Sequence, residues 1–383
     1  MKIVFLEDVI NFGGARKSTI NLARHLADRY EVRIVDVHGS CTHFVDACVR
    51  EGVRLDILIK RDRQIIINYS HSPIKKFIKL IEFVFVTIKA RKKLHSLLRS
   101  ENVDYYVVNN TKVLPLLLAN KMGGKVILFA RGWFLPQQIN RRDRFLYRKL
   151  IDKFMCVSEA TRYALISSGL ARLDNSFTVH NSIDCFSYNS VVPASIEKEK
   201  DDKVILVSGG FLPTKGLHVA VDIAYNLFAS GFPFKMVITG IVYESAASKK
   251  YYEHIVETIK EKRLADKVLL VVDHPQVKEY FKAADIFIHP SDTEGLPRVV
   301  MEAMVNHVPV IANAVGGVTD YVLNGFTGVL TRHNNVSDYV AAIQRIETDE
   351  LFRSSIVANA YNLVSGCYRP EDQIAQFEAA IEG

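Results

Sequence analysis

Two glutamates eight positions apart, Glu294 and Glu302, lie in one stretch that also carries a Gly-Leu-Pro turn. Residues 285–289 before it are rich in β-branched and aromatic side chains, which predicts a buried strand. Pro297 suits the first position of the following helix, so Glu294 precedes the helix N-terminus and Glu302 lies near its second turn. The segment from Pro297 to Glu302 spans roughly 7–8 Å, a distance that suits two ends of one small polar ligand. Free N–H groups and the positive helix end also favour phosphate there.

A second glycine-rich turn carries Gly316 and Gly317 and follows the predicted strand 308–312. Two adjacent strand–loop–helix units that face one crevice are the arrangement in which doubly wound sheets bind nucleotides. The spacing of these loops therefore predicts a nucleotide site at the carboxyl ends of two neighbouring strands.

Strands and helices alternate twice along the 383 residues. Apolar strands without strict alternation, separated by helical stretches, predict parallel sheets that are covered on both faces. The predicted strands are 2–6, 32–37, 53–58, 104–108, 125–129, 153–157 and 177–180, then 203–208, 234–239, 267–272, 285–289, 308–312 and 327–330. The predicted domains are residues 1–186 and 203–365, with a polar linker at 187–202 and a final helix within 366–383 that opens at Pro370.

The run from Ser291 to Gly328 resembles the donor-binding signature of retaining glycosyltransferases of family 4, which have the GT-B fold. That signature is an acid, a glycine and a small or apolar pair, then a helical Glu-Ala, a Pro-Val-Ile strand and a Gly-Gly turn before an acid. The matching residues are Glu294, Gly295, Leu296, Pro297, Glu302, Ala303, Pro309, Val310, Ile311, Gly316, Gly317 and Asp320. The resemblance implies an α/β chain with two Rossmann-like, doubly wound parallel-sheet domains that face a central cleft, the last helix crossing back to the N-terminal domain.

The resemblance also implies an activity: transfer of a sugar from a nucleotide-diphosphate sugar to a hydroxyl of a glycan or lipid-linked acceptor, with retention at the anomeric carbon. Cell-envelope polysaccharide or lipopolysaccharide synthesis is the expected setting. Glu302 would bind the ribose hydroxyls, Glu294 the hydroxyls of the donor sugar, and Lys215 the diphosphate. The turn from Gly295 to Pro297 and the pair Gly316 and Gly317 would complete the donor site. The family requires no metal, and no cofactor beyond the nucleotide sugar is expected.

Two positions depart from the family pattern. The family has Gly-Arg and then Lys-Gly after a strand; Lys215 and Gly216 match, but Gly210 stands where the Arg is expected. Lys215 supplies one positive charge to a leaving group with about two negative charges, so helix N-termini or another Arg must contribute. Many relatives have a His where this chain has Arg131, which could orient the donor or stabilise the departing phosphate but could not act as a base.

A paired-glycine loop, Gly13 and Gly14, follows the first strand and opens the first helix. It fits neither the dinucleotide fingerprint nor the phosphate-binding P-loop, because the spacing of glycines and of Lys-Ser is wrong for both. In family 4 a comparable loop lies at the cleft, which predicts the same place here on the acceptor and phosphate side. Ser158, Asn181 and Asp184 complete the resemblance, whereas His180 and His307 are predicted to be structural.

Positive charge is concentrated in residues 60–100, where eleven Lys or Arg stand against two acids. One interpretation is a core helix with solvated basic ends; the other is a docking surface for anionic lipid or a phosphate-bearing acceptor. No nucleic-acid module accompanies the patch, so nucleic acid is not expected as a partner. No apolar run reaches the ~18–20 residues that span a bilayer. With five scattered cysteines, this predicts a cytoplasmic protein, either free or peripheral on the inner face of the membrane.

Other functions stay open from the sequence. A non-catalytic relative that binds nucleotide sugar, or a scaffold in a glycan assembly complex, is favoured by the departures at Gly210 and Arg131. A glycosidase would also use two carboxylates, but it needs them on either side of the scissile bond rather than around a phosphate-binding helix start. A sugar-nucleotide epimerase is disfavoured by the order of the motifs.

Overall fold

The computed structural model of the protein describes residues 1–61, 73–99, 101–109, 111–118, 123–133, 136–274 and 277–383. Within these ranges the strands form two sheets, and every pairing between neighbouring strands is parallel. The predicted architecture of two Rossmann-like parallel-sheet units is therefore confirmed.

The first sheet has the strand order β3-β2-β1-β4-β5-β6-β7. Its strands are β1 (Lys2–Glu7), β2 (Glu31–Asp36), β3 (Leu55–Ile57), β4 (Tyr105–Val108), β5 (Lys125–Ala130), β6 (Lys153–Cys156) and β7 (Ser176–Thr178). The order reverses between β1 and β4, so the loops that leave these two strands diverge to opposite faces and open a crevice at their carboxyl ends.

The second sheet repeats the same reversal in the order β10-β9-β8-β11-β12-β13. Its strands are β8 (Lys203–Ser208), β9 (Phe234–Gly240), β10 (Val268–Val272), β11 (Ile286–His289), β12 (Val310–Asn313) and β13 (Val329–Thr331). All four residues of β11 and of β12 are buried, as expected for central strands covered by helices on both faces. The crevice of this sheet lies between the loops after β8 and β11.

Twelve helices cover the sheets in the described part of the chain. They are α1 (Gly14–Leu26), α2 (Thr42–Arg50), α3 (Pro73–Leu98), α4 (Arg141–Leu150), α5 (Glu159–Ser167), α6 (Leu217–Ala229), α7 (Ala246–Glu261), α8 (Lys278–Ala283), α9 (Arg298–Val305), α10 (Val336–Thr348), α11 (Glu350–Cys367) and α12 (Pro370–Glu382). The prediction that Pro297 is the first residue of its helix is wrong by one position. Pro297 has an extended ψ of 117° and is the N-cap, so α9 begins at Arg298.

The final helix α12 packs on α1 and β7, which both belong to the first sheet and its covering helices. Pro370 opens this helix as predicted, and Phe377 is completely buried on its inner face. At the other end of α12, the Lys153 ammonium donates to the carbonyls of Ala380 and Ile381 at 3.0 and 2.9 Å. These two carbonyls have no partner within the helix, so the lysine satisfies groups that would otherwise be orphaned.

Helix α3 does not lie in the core over most of its length. Phe77 and Phe85 are 62% and 69% exposed, and Ala90, Leu94 and Leu98 are the buried positions near the end of the helix. The core-helix interpretation of the basic segment is therefore wrong between residues 74 and 88. In the described part of the chain, none of the helices has the length and apolar character to cross a membrane. Residues 62–72, which the basic segment also includes, lie outside the described residues.

The packing of α12 gives a stability prediction. Phe377→Ala should lower the free energy of unfolding by about 3–5 kcal/mol, because it leaves a cavity between α12 and the first sheet. Phe186→Ala is the matched control, since Phe186 is 83% exposed and should change stability little. Chemical denaturation of the two variants beside the wild type makes the comparison. Equal midpoints for all three proteins would contradict the packing assigned to Phe377.

Candidate functional site

The carboxylate of Glu294 is buried in the loop between β11 and α9. Its Oε1 atom lies 2.7 Å from Nζ of Lys215 and 3.0 Å from Nε2 of His289. Burial by itself would raise the pKa of Glu294, but the charge of Lys215 and the hydrogen bond from His289 outweigh it and hold the pKa well below its usual range. Glu294 is therefore ionised at neutral pH. His289 is the last residue of β11, and the sequence assigned it no role.

Lys215 reaches Glu294 because the loops after β8 and β11 touch each other. Lys215 ends a 3-10 turn, Pro213–Lys215, and Gly216 follows with a left-handed φ of 65°. A Cβ atom at Gly216 would lie 1.9 Å from the carbonyl oxygen of Pro290, so a larger residue would push the loops apart. The structure thus brings two predicted site residues together as partners of each other.

Glu302 lies in the second turn of α9, as predicted. Its carboxylate is hydrogen-bonded to the hydroxyl of Tyr188, whose pKa is raised by burial and further by Glu302. The ammonium of Lys278 lies 4.3 Å from the centre of the Tyr188 ring and within the field of Glu302. The two predicted carboxylates therefore have separate partners, a cation and an imidazole for Glu294 and a phenol with a nearby cation for Glu302.

Three predicted donor-site glycines allow the second unit to approach the first. A Cβ atom at Gly295 would lie 2.2 Å from the carbonyl oxygen of Arg131. At Gly317 it would lie 1.8 Å from the carbonyl oxygen of Gly295 and 2.6 Å from Cβ of Ser158, and at Gly316 it would lie 2.0 Å from the carbonyl oxygen of Glu294. These positions need glycine for backbone packing at the domain contact, whether or not they also touch a ligand. Their assignment to donor binding stays a prediction.

The Arg131 side chain turns into the first unit. Its Nη1 donates to Ser18 Oγ at 2.8 Å and to Asn181 Oδ1 at 3.0 Å, and its Nε donates to Asn109 Oδ1 at 3.1 Å. The guanidinium also stacks over Phe129, with 3.9 Å between Cζ and the ring centre. Burial lowers the pKa of Arg131 to about 9, so it stays charged at neutral pH. Its Nη2 has no hydrogen-bond partner among the described residues.

Glu7 is the anionic partner of this network and lies at the end of β1. It accepts a hydrogen bond from Asn109 Nδ2 at 2.7 Å and is 3.5 Å from Nη1 of Arg16. Burial raises the pKa of Glu7, while Arg16 is the strongest influence in the opposite direction. Glu7 ends β1 and Asn109 follows β4, the two strands at which the first sheet reverses. Neither residue was predicted from the sequence, although a polar side chain at the end of a predicted strand is a signal that would have identified both.

Further contacts join the two units beside this network. Asn181 donates through Nδ2 to the carbonyl of Leu296 at 2.8 Å, and Asp320 accepts from the backbone N–H of Glu159 at 2.6 Å, at the start of α5. His180 lies 3.8 Å from the same carboxylate, which agrees with its predicted structural place at the domain junction. His307 stacks on Tyr361 at 4.3 Å between ring centres. Asp184 accepts from the N–H of Phe186 and so caps the 3-10 turn Cys185–Tyr188.

The paired-glycine loop lies where the units face each other. Gly13 is the N-cap of α1, and a Cβ atom there would lie 3.6 Å from the hydroxyl of Tyr243 in the second unit. A Cβ at Gly14 would meet nothing within 4 Å. Within the described ranges, no group of three or more His, Cys, Asp or Glu side chains is arranged to hold a metal ion. That the reaction needs no metal or cofactor stays a prediction.

The buried ion pair gives a prediction with a pH dependence. Lys215→Met keeps the apolar stem but removes the charge, and should lower the free energy of unfolding near neutral pH by about 2–3 kcal/mol. This loss is smaller than the loss expected for a fully buried ion pair, because Lys215 is partly exposed. Because the pKa of Glu294 is lowered in the folded wild type, the wild type itself loses stability through this group only as the pH falls below the unfolded value of about 4.3.

The variant should behave differently in acid. Without Lys215 the pKa of Glu294 rises, so proton uptake by the folded state relieves the unpaired charge. The stability difference between the two proteins should therefore narrow from about pH 7 to about pH 4. Denaturation at a series of pH values measures it, with Lys249→Met on the surface of α7 as the control. A difference that stays constant across this range would contradict the assigned ion pair.

The sequence matches models of two known protein families. The family model for glycosyl transferases group 1 matches residues 191–363, and the model for glycosyltransferase family 4 matches residues 12–185. An uncharacterized glycosyltransferase of Haemophilus influenzae is 25% identical over 98% of both chains. The capsular polysaccharide biosynthesis glycosyltransferase CapM of Staphylococcus aureus is 23% identical over 54% of both chains.

Solved structures share the fold over the full length of the chain. The HepE protein of Anabaena, in complex with UDP and glucose, superimposes with a TM-score of 0.80 at 18% identity and covers 100% of this chain and 99% of its own. TarM of Staphylococcus aureus, in complex with fondaparinux, α-GlcNAc-glycerol and UDP, gives 0.76 at 14% identity and full coverage of both chains. Because the two family models together account for most of the sequence, the chain belongs to the group 1 and family 4 glycosyltransferases with the GT-B fold.

Proposed function

We propose that the protein is a retaining glycosyltransferase that takes its sugar from a nucleotide-diphosphate donor. The observation that carries this proposal is the ion pair between Glu294 and Lys215 at the crevice of the second sheet. Glu302 lies nearby in the chain, in the second turn of α9. A carboxylate suits sugar hydroxyls, and an ammonium beside a helix start suits phosphate. HepE has been solved in complex with UDP and with UDP-glucose, which supports a nucleotide sugar as donor here.

The chemistry requires the bond between the anomeric carbon and the diphosphate oxygen to break while the acceptor oxygen attaches to the same face. Negative charge then accumulates on the nucleoside diphosphate, which also receives the acceptor's proton. Lys215 would stabilise that charge as it leaves, together with backbone N–H groups at the helix starts. Glu294 would bind the hydroxyls of the donor sugar. Contacts of Glu294 with the sugar and of Lys215 with the diphosphate would then replace the ion pair between these two residues. Arg131 is charged and cannot take a proton, which excludes it as a general base.

For the acceptor, we propose a hydroxyl of a glycan or of a lipid-linked saccharide in cell-envelope polysaccharide synthesis. The name of CapM refers to capsular polysaccharide. One structural neighbour is a lipopolysaccharide outer core galactosyltransferase, WaaB, with a TM-score of 0.68. These names support a class of acceptor rather than a particular sugar or linkage.

The alternative is a relative that binds the nucleotide sugar without turnover. It is favoured by Gly210, which leaves the donor site short of one positive charge. It is also favoured by the side chain of Arg131, which is directed into the first unit and hydrogen-bonded there. Binding without release of nucleoside diphosphate would distinguish it from an enzyme.

Nucleotide binding is the first prediction to test. A thermal-shift screen against UDP, GDP, ADP, CMP and their sugar conjugates should show stabilisation by one base class, of about 3 kcal/mol at a hundredfold excess over Kd. Glu302→Ala should remove the shift, because it removes the carboxylate proposed to hold the ribose. Glu253→Ala, on the exposed surface of α7, is the matched control. A folded protein that responds to none of these ligands would contradict the proposal.

Helix α3 supports a membrane surface as the place of the reaction. Phe77, Ile81, Val84, Phe85 and Ile88 are all exposed and recur at helical spacing, so they form one apolar face. The same helix continues into exposed Lys89, Lys92 and Lys93. Apolar side chains beside lysines are typical of helices that lie in the interface of an anionic bilayer, where each lysine contributes about 1 kcal/mol. We propose that α3 docks the N-terminal domain on the inner face of the membrane.

A vesicle experiment tests the docking. The triple substitution of Lys89, Lys92 and Lys93 by Gln should lower binding to phosphatidylglycerol vesicles by roughly a hundredfold or more in low salt. Phe77→Ser with Phe85→Ser should weaken binding at any salt concentration, since it removes apolar contact. Substitution of Lys249, Lys250 and Lys260 by Gln on α7 is the matched control. Unchanged co-sedimentation of both α3 variants would show that α3 is an ordinary surface helix and does not bind the membrane.

A further inference from the structure

Tyr243 lies in the loop between β9 and α7, at a point where three loops meet. A Cβ atom at Gly210 would lie 2.6 Å from Cε2 of the Tyr243 ring and 2.8 Å from its hydroxyl oxygen. A Cβ atom at Gly13, in the other domain, would lie 3.6 Å from the same hydroxyl. The phenol therefore fills the space above Gly210 and places its hydroxyl between the two domains.

The backbone beneath the ring is held in place. The N–H of Tyr243 donates to Ser248 Oγ at 3.0 Å, and this hydroxyl donates to the carbonyl of Phe211 at 2.8 Å. The N–H of Phe211 donates in turn to the carbonyl of Ile241 at 2.9 Å. The loop that carries Tyr243 is thus tied to the residue that follows Gly210, so the ring is positioned before any ligand arrives.

The stem of Lys215 and the ring of Tyr243 lie against neighbouring glycines. A Cβ atom at Gly209 would lie 3.5 Å from Cβ of Lys215, and one at Gly210 would meet the Tyr243 ring. Burial raises the pKa of this phenol, and the charge of Lys215 acts in the opposite direction. The phenol keeps its proton at neutral pH. The position above Gly210 is also where the sequence leaves the site short of a cation.

We propose that Tyr243 binds the diphosphate of the nucleotide donor through its hydroxyl, and so takes part of the place of the missing guanidinium at Gly210. The assignment rests on the proposed function and extends it to a residue that no sequence motif marks. A neutral phenol donates a hydrogen bond without adding charge. Lys215 therefore supplies the positive charge from the loop after β8, and Tyr243 fixes the orientation of the phosphate.

The test compares each nucleoside diphosphate with its own nucleoside. Calorimetric titrations with UDP, GDP and ADP, and displacement titrations with uridine, guanosine and adenosine, give the affinity that the diphosphate adds. Tyr243→Phe, which keeps the ring, should lower diphosphate affinity roughly 10-fold and leave nucleoside affinity unchanged. Tyr225→Phe, on the outer surface of α6, is the control and should change neither.

A double-mutant cycle sharpens the result. Gly210→Ala puts a methyl group against the ring and must displace it, so it should cause a similar loss. Combined with Tyr243→Phe, it should then cost little more than either change by itself. Losses that add, or a Tyr243→Phe variant that binds diphosphates like the wild type, would overturn this assignment. Failure of the wild type to bind any of the three diphosphates would instead overturn the proposed function, and this assignment with it.

Discussion

A buried carboxylate with two partners organises the second domain around its crevice. Glu294 cannot be ionised in that position without compensation. Lys215 supplies it from the loop after β8, and His289 supplies it from the end of β11. The contact therefore joins the loops after β8 and β11, which are the two loops that diverge at the reversal of the sheet. It also keeps a cation and an anion side by side at the crevice.

The first domain has its own buried charge pair, and the two systems are in contact. Arg131 and Glu7 lie in one hydrogen-bonded network that reaches Asn181, and Asn181 donates to the carbonyl of Leu296 in the loop that carries Glu294. Glycine at position 295 allows the backbone of that loop to lie directly on the backbone of Arg131. Charge in one domain is thereby coupled to the position of the loop that carries Glu294 in the other.

The sequence predicted what depends on neighbours along the chain. The strands, the opening of α12 at Pro370 and the place of Glu302 in its helix follow from apolar patterns and proline chemistry. Contacts between distant segments were not accessible in that way. His289 reads as one more residue of a buried strand, and Tyr243 as one more loop aromatic, until the fold places them against Glu294 and Gly210. The sequence could not decide between a core helix and a docking surface for α3 for a related reason. An apolar pattern does not show whether the rest of the protein or another surface covers it.

The polypeptide passes between the domains twice, and the two passages run side by side. The N–H of Ile183 donates to the carbonyl of Tyr368 at 2.8 Å, the ring of His180 packs on Tyr368, and Ser182 donates to Gln373 at 2.9 Å. Two connecting segments that are hydrogen-bonded to each other at one edge have the geometry of a hinge. Rotation about the backbone of a few residues there would turn one domain against the other, while the hydrogen bonds restrain sliding of the domains. The glycine contacts lie beside this edge, because Asn181 donates to the carbonyl of Leu296, the neighbour of Gly295. An axis through this edge would therefore run close to the loop that carries Glu294.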